Sequence, residues 1–169
     1  MFCSRFRRHA RKSTPGAFGE AVKQTDIFSL QPCDSGSSLL MAGGRCTNLR
    51  IPGLDLLRQY ATGNIYLLVT DYDCPFEEAV NFITINKECS KILCRKCLGG
   101  MGITPVPPSY CLSNLVWKDD FHFYAIINEK YRYDFTIRRR YFPYLLPQLK
   151  IRCRGWINGD SSRRGKFPE

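Results

Sequence analysis

Histidine is almost missing from this chain, acid is scarce, and no apolar run is long. With only His9 and His122, no H-E-x-x-H metal helix exists. A P-loop, a G-x-S-x-G elbow and the H-x-E with P-C-x-x-C pattern of zinc deaminases are also absent. Gly99-Gly100-Met101-Gly102 lacks the glycine spacing of a dinucleotide site. These absences point away from an enzyme. No stretch approaches the ~20 apolar residues of a membrane-spanning helix. The arginine-rich Met1 to Lys12 has no apolar run of the kind a signal peptide needs. A location in the reducing nucleus and cytoplasm, without membrane, is expected. There the nine cysteines read as metal ligands, buried small hydrophobes or reactive thiols before they read as disulfides.

What is abundant is basic charge. Twenty-five Lys and Arg face fifteen Asp and Glu, a net charge of +10. Such an excess attracts nucleic acid, acidic proteins or anionic membrane. Residues 1–25 carry Arg5, Arg7, Arg8, Arg11 and Lys12 among glycine and proline, and read as a flexible basic arm suited to nuclear import or to electrostatic tethering. Residues 157–169 read as a flexible tail. Between them, 46–156 is expected to form one globular domain.

Within that domain, Asn64 to Thr70 is apolar and β-branched, as a buried strand is. Asp73-Cys74-Pro75 then has the character of a helix start, with Glu77 and Glu78 in the first turn. Phe76, Ala79, Val80 and Ile83 follow at helical spacing, Lys91, Arg95 and Lys96 sit near the far end, and Gly99-Gly100 would stop the helix. Beyond a proline-rich loop the period changes to two. Phe121, Phe123, Ala125 and Ile127 alternate with His122, Tyr124 and Ile126, Asn128-Glu129 is a turn, and Tyr131, Tyr133, Phe135 and Ile137 alternate again. Leu149, Ile151 and Cys153 mark one more strand. The fold class expected is α+β: one helix with a cysteine-rich end, plus antiparallel strands.

Cys94 and Cys97 form a C-x-x-C pair, with Cys111 fourteen residues on and Cys89 five residues before. Two thiolates at that spacing reach adjacent corners of a zinc tetrahedron, and distant ligands close it. Cys89, Cys94, Cys97 and Cys111 are the candidate zinc ligands, with His122, Cys153 and Cys74 as alternatives for the fourth position. Buried or free thiols are the simpler account of the same residues. Further on, Lys130 to Arg154 interleaves arginines with tyrosines and phenylalanines. Strict alternation would send aromatics inward and most cations to solvent. The run Arg138-Arg139-Arg140 falls outside the alternation, which makes it the candidate nucleic-acid contact.

Three segments carry a family resemblance: Cys46-Thr47-Asn48-Leu49, the run Tyr66 to Phe76 (YLLVTDYDCPF), and the cysteine-rich Cys89 to Cys97. Together they resemble the thirty-four-kilodalton protein family of adenovirus early region four, over roughly residues 46–155. The family's His-Cys-His-Cys cluster and its carboxy-terminal arginine-faced helix have no counterpart. The resemblance implies a viral early adaptor protein that recruits a host cullin-RING ubiquitin ligase through elongins B and C. Such an adaptor acts with a larger early viral protein and promotes viral mRNA export. The elongin contact would be a short helical box, matched by Leu57, Ala61 and Ile65 or by Leu93, Cys97 and Met101. A zinc-stabilised module binding RNA or DNA through the basic hairpin is the alternative.

Overall fold

The computed structural model describes residues 21–33, 36–72, 79–99, 110–138 and 148–156, and among them there is no helix. The expected α+β class gives way to an all-β chain built as successive antiparallel meanders. A short β1 (Lys23–Gln24) comes first. It is followed by β2 (Phe28–Pro32), β3 (Ser37–Ala42) and β4 (Arg45–Pro52), which form a three-stranded sheet. Three strands thus precede Cys46. Next come β5 (Asp55–Thr62), β6 (Ile65–Asp71), β7 (Ala79–Asn86) and β8 (Ile92–Gly99). With β1 they make a five-stranded sheet in the order β1-β5-β6-β7-β8. The last meander is β9 (Leu112–Asp119), β10 (His122–Ile127), β11 (Tyr131–Arg138) and β12 (Gln148–Trp156), in the order β12-β11-β10-β9.

The five-stranded sheet is the middle layer of three. Leu67, Val69, Val80 and Phe82 point from it into a core shared with Phe123, Phe135, Ile137 and Leu149 of the four-stranded sheet. Leu68, Ile83 and Ile85, the alternate residues, point the other way onto Phe28, Leu40 and Ile51 of the three-stranded sheet. A sheet covered on both faces needs apolar residues at every position, because the period-two pattern of a half-exposed strand no longer applies.

That requirement explains why the expected helix is two strands. Seven of the eight residues of β7 are buried, and four of the eight, Val80, Ile83, Thr84 and Ile85, are β-branched. Such residues fit a pleated surface and lose rotamer freedom in a helix. In a continuous apolar run, residues at helical spacing are present whatever the conformation. The charged stretch after it is a hairpin turn instead of a helix end. Asn86 organises that turn: its Oδ1 accepts from the N–H of Ser90 at 3.0 Å and of Lys91 at 2.8 Å. Cys89 in the turn has a φ of 53°. The supposed helix start, Asp73 to Glu78, lies outside the described residues.

The amino-terminal sheet is stitched to the central one by a side chain. Gln59 of β5 accepts from the Phe28 N–H at 2.9 Å and donates to the Phe28 carbonyl at 3.1 Å. Its amide thus stands in for a residue of a neighbouring strand.

Candidate nucleic-acid interface

The outer face of the four-stranded sheet grows out of the hairpin alternation. Asn128 and Glu129 both take positive φ, 50° and 57°, in the turn between β10 and β11. That turn has the sense of twist a hairpin prefers. It sets the register Phe123↔Phe135 and Ala125↔Tyr133 for the inner face and His122↔Thr136 and Tyr124↔Asp134 for the outer one. Continuing outward, Thr136 pairs with Lys150 and Asp134 with Arg152. Two rows therefore cross the outer face: His122-Thr136-Lys150 and Tyr124-Asp134-Arg152.

The charges along these rows are sorted. Asp134 accepts from the Arg132 Nη2 at 3.0 Å and lies 3.7 Å from the Lys118 Nζ. The Arg132 guanidinium also lies over the Tyr124 ring, 4.1 Å from its centroid, with the Lys118 ammonium 5.7 Å from the same centroid. This half of the face is aromatic and nearly charge-balanced. At the β9–β10 turn, the His122 Nδ1 is 2.8 Å from both Asp119 oxygens. Desolvation works against ionising Asp119, but the Phe121 N–H, the His122 ring and the His122 N–H outweigh it and hold the carboxyl below its usual value.

Toward β12 the balance changes. Arg138, Lys150 and Arg152 are exposed, and none makes an ion pair or a side-chain hydrogen bond among the described residues. They line a cleft of about 270 Å³ with Lys118, His122 and two carboxylates, Asp119 and Asp134. Four cations there face two carboxylates, and a cleft of low-dielectric walls with an excess of positive charge concentrates anions.

No protein-family model matches this chain, and no curated protein and no solved structure is significantly similar to it. The functional reading therefore rests on the chain's own residues.

Of the candidate contact Arg138-Arg139-Arg140, Arg138 ends β11 in the cleft, while Arg139 and Arg140 lie outside the described residues. The candidate zinc ligands are dispersed. Cys89 is in the β7–β8 turn, Cys94 and Cys97 are in β8, and Cys111 precedes β9. In a strand, residues three apart point to opposite faces. Cys94 pairs with Thr84 and packs against the core shared with the four-stranded sheet, whereas Cys97 pairs with Asn81 on the other face. The C-x-x-C spacing that suits a loop or helix end is thus split by a strand. Among the described residues no group of three His, Cys, Asp or Glu comes together to hold a metal. Burial also pushes the Cys89 thiol up, reinforced by Glu88 and opposed by Lys87.

The proposed elongin box meets the same difficulty. Leu57 and Ala61 lie on β5 and Ile65 on β6, so the three do not share a helical face, and Ile65 is buried in the core. Leu93 and Cys97 lie on β8, and Met101 lies outside the described residues. What the sequence reading missed is the pairing of His122 with Asp119, the Tyr124–Arg132 platform, and Lys96. The first two carried a signal: an Asp three residues before a His across a turn, and a Tyr and an Arg on alternating positions of one hairpin. Lys96 carried none, because only tertiary packing brings it near β12.

Proposed function

We propose that this protein is a nucleic-acid-binding module whose contact surface is the outer face of the four-stranded sheet. The observation that supports this most is the set of exposed cations without acidic partners among the described residues, Arg138, Lys150 and Arg152, gathered in one cleft. A net charge of +10 adds a long-range attraction to the same partner. The protein acts by binding, not by catalysis: the cations hold phosphates, and sequence-independent affinity follows from released counterions. A ligase-adaptor role would have to use a surface other than Leu57, Ala61 and Ile65, and no observation favours it over nucleic-acid binding.

The test is fluorescence anisotropy with a labelled oligonucleotide between about 50 and 200 mM salt. Affinity is expected to fall steeply with salt. The double variant Arg138→Ala/Lys150→Ala should flatten that dependence by roughly one unit of slope or more. Binding that ignores both salt and this substitution would reject the reading.

A further inference from the structure

We propose that the bound nucleic acid is single-stranded, with its backbone crossing the strands from the His122 end of the cleft, over β11 and β12, and round the β12 edge to Lys96 of β8. This deepens the nucleic-acid reading above and rests on it.

The path is drawn by a second cleft. Its volume is about 470 Å³, and Arg138 and Lys150 line it as they line the first, so the two adjoin. Its far wall is Cys94 and Lys96 of β8. These belong to the five-stranded sheet, yet the edge strands β8 and β12 meet here: the Leu149 N–H donates to the Cys94 Sγ at 3.4 Å. Lys96 pairs with Phe82, on the side of β8 that faces the four-stranded sheet. It is exposed and has no acidic partner among the described residues. From His122 through Thr136 to Lys150 the row spans two strand spacings, about 10 Å, and Lys96 extends it beyond the sheet.

The sorting of charge argues for an unpaired strand. Phosphates seek the uncompensated cations Arg138, Lys150, Arg152 and Lys96. Bases avoid none of the balanced half, where Arg132 over Tyr124 offers a flat guanidinium and an aromatic ring to stack on. A single strand can lay its backbone on one half and its bases on the other. A duplex hides its base faces and is read by an element that enters a groove about 12 Å wide. The cations here lie on an open sheet face, and among the described residues there is no helix to enter such a groove.

The experiment uses the full chain with a labelled single-stranded oligonucleotide and the duplex of the same length. The single strand should bind at least tenfold more tightly. Lys96→Ala should weaken single-strand binding and lower the salt slope by about 0.7, the value of one phosphate contact. Tyr124→Ala should weaken binding several-fold at unchanged salt slope, because it removes stacking and no charge. Mass-spectrometric mapping should show that bound oligonucleotide slows alkylation of Cys94 and leaves Cys46 unchanged. Circular dichroism checks that each variant is folded. Duplex binding as tight as single-strand binding overturns the proposal. So does an unchanged Lys96→Ala or an unprotected Cys94 beside a weakened Arg138→Ala/Lys150→Ala, an outcome that leaves the nucleic-acid reading intact. Binding of neither nucleic acid overturns both.

Discussion

Against the four-stranded sheet, the central sheet presents Leu67, Val69, Val80 and Phe82 to an aromatic layer. There Phe82 lies 4.3 Å from Phe135 between ring centroids, and Phe123 stacks on Phe135 at 4.7 Å with planes 5° apart. Against the three-stranded sheet it presents Leu68, Ile83 and Ile85, and beside them the buried Ser38, Thr70 and Asn81. Here docking is polar as well as apolar. Ser38 Oγ donates to the Gly53 carbonyl at 2.8 Å, and Thr70 Oγ1 to the Pro52 carbonyl at 2.7 Å. One seam is held by volume. The other is held by close backbone approach and specific hydrogen bonds, so it fixes position more than it adds burial.

The largest expected effect lies in the first seam. Phe82→Ala should cost about 3–5 kcal/mol in denaturant unfolding, because Phe123 and Phe135, stacked on each other beside it, cannot collapse into the space. Ile83→Ala, the next residue but facing the other seam, should cost less, about 2–3 kcal/mol. An Ile83→Ala loss equal to or above that of Phe82→Ala would break the comparison. Gly53→Ala tests the second seam by geometry. A Cβ there would stand 2.5 Å from Thr70 Oγ1 and 2.6 Å from the Asp71 carbonyl oxygen, and the backbone has a φ of 97°. The expected loss is about 1–3 kcal/mol, chiefly from strained backbone. Ser38→Ala in the same background should then cost less than it does alone, since the carbonyl it serves has already moved. Last and smallest is a gain. Both polar atoms of the Asn81 side chain are buried without a hydrogen-bond partner among the described residues, so Asn81→Leu should raise stability by about 1 kcal/mol in the same assay. A loss on that substitution would mean that the second seam needs the amide.

The same contrast separates what could be read in the sequence from what could not. The β10–β11 hairpin, its Asn128-Glu129 turn and the inward set Phe123, Ala125, Ile127, Tyr133, Phe135 and Ile137 were visible because one face of that sheet is open and period two survives. β7 and β8 were not visible as strands. Burial on both faces erased alternation in β7, and Lys91, Arg95 and Lys96, which had the look of a basic helix end, run from the hairpin turn into β8. The cysteines were read by spacing alone, and spacing does not say that Cys94 and Cys97 face opposite ways. In the candidate interface, Arg138 was legible as a break in alternation. Its neighbours Lys150 and Arg152 were seen as part of a basic segment, but the cleft that Arg138 and Lys150 form with Lys96 depends on two sheet edges meeting.

Among the described residues, every strand but β1 and its partner β5 pairs only with strands next to it in the chain. Register can therefore be decided hairpin by hairpin, with short loops to close and little entropy lost in each closure. What remains is the stacking of three preformed ribbons, a long-range event and the natural slow step. The ribbon that must be in place first is the middle one, since each outer ribbon has only it to lean on. Amide hydrogen exchange should accordingly be slowest in β6 and β7 and fastest where β1 joins β5, the one pairing that the local order of the chain does not provide.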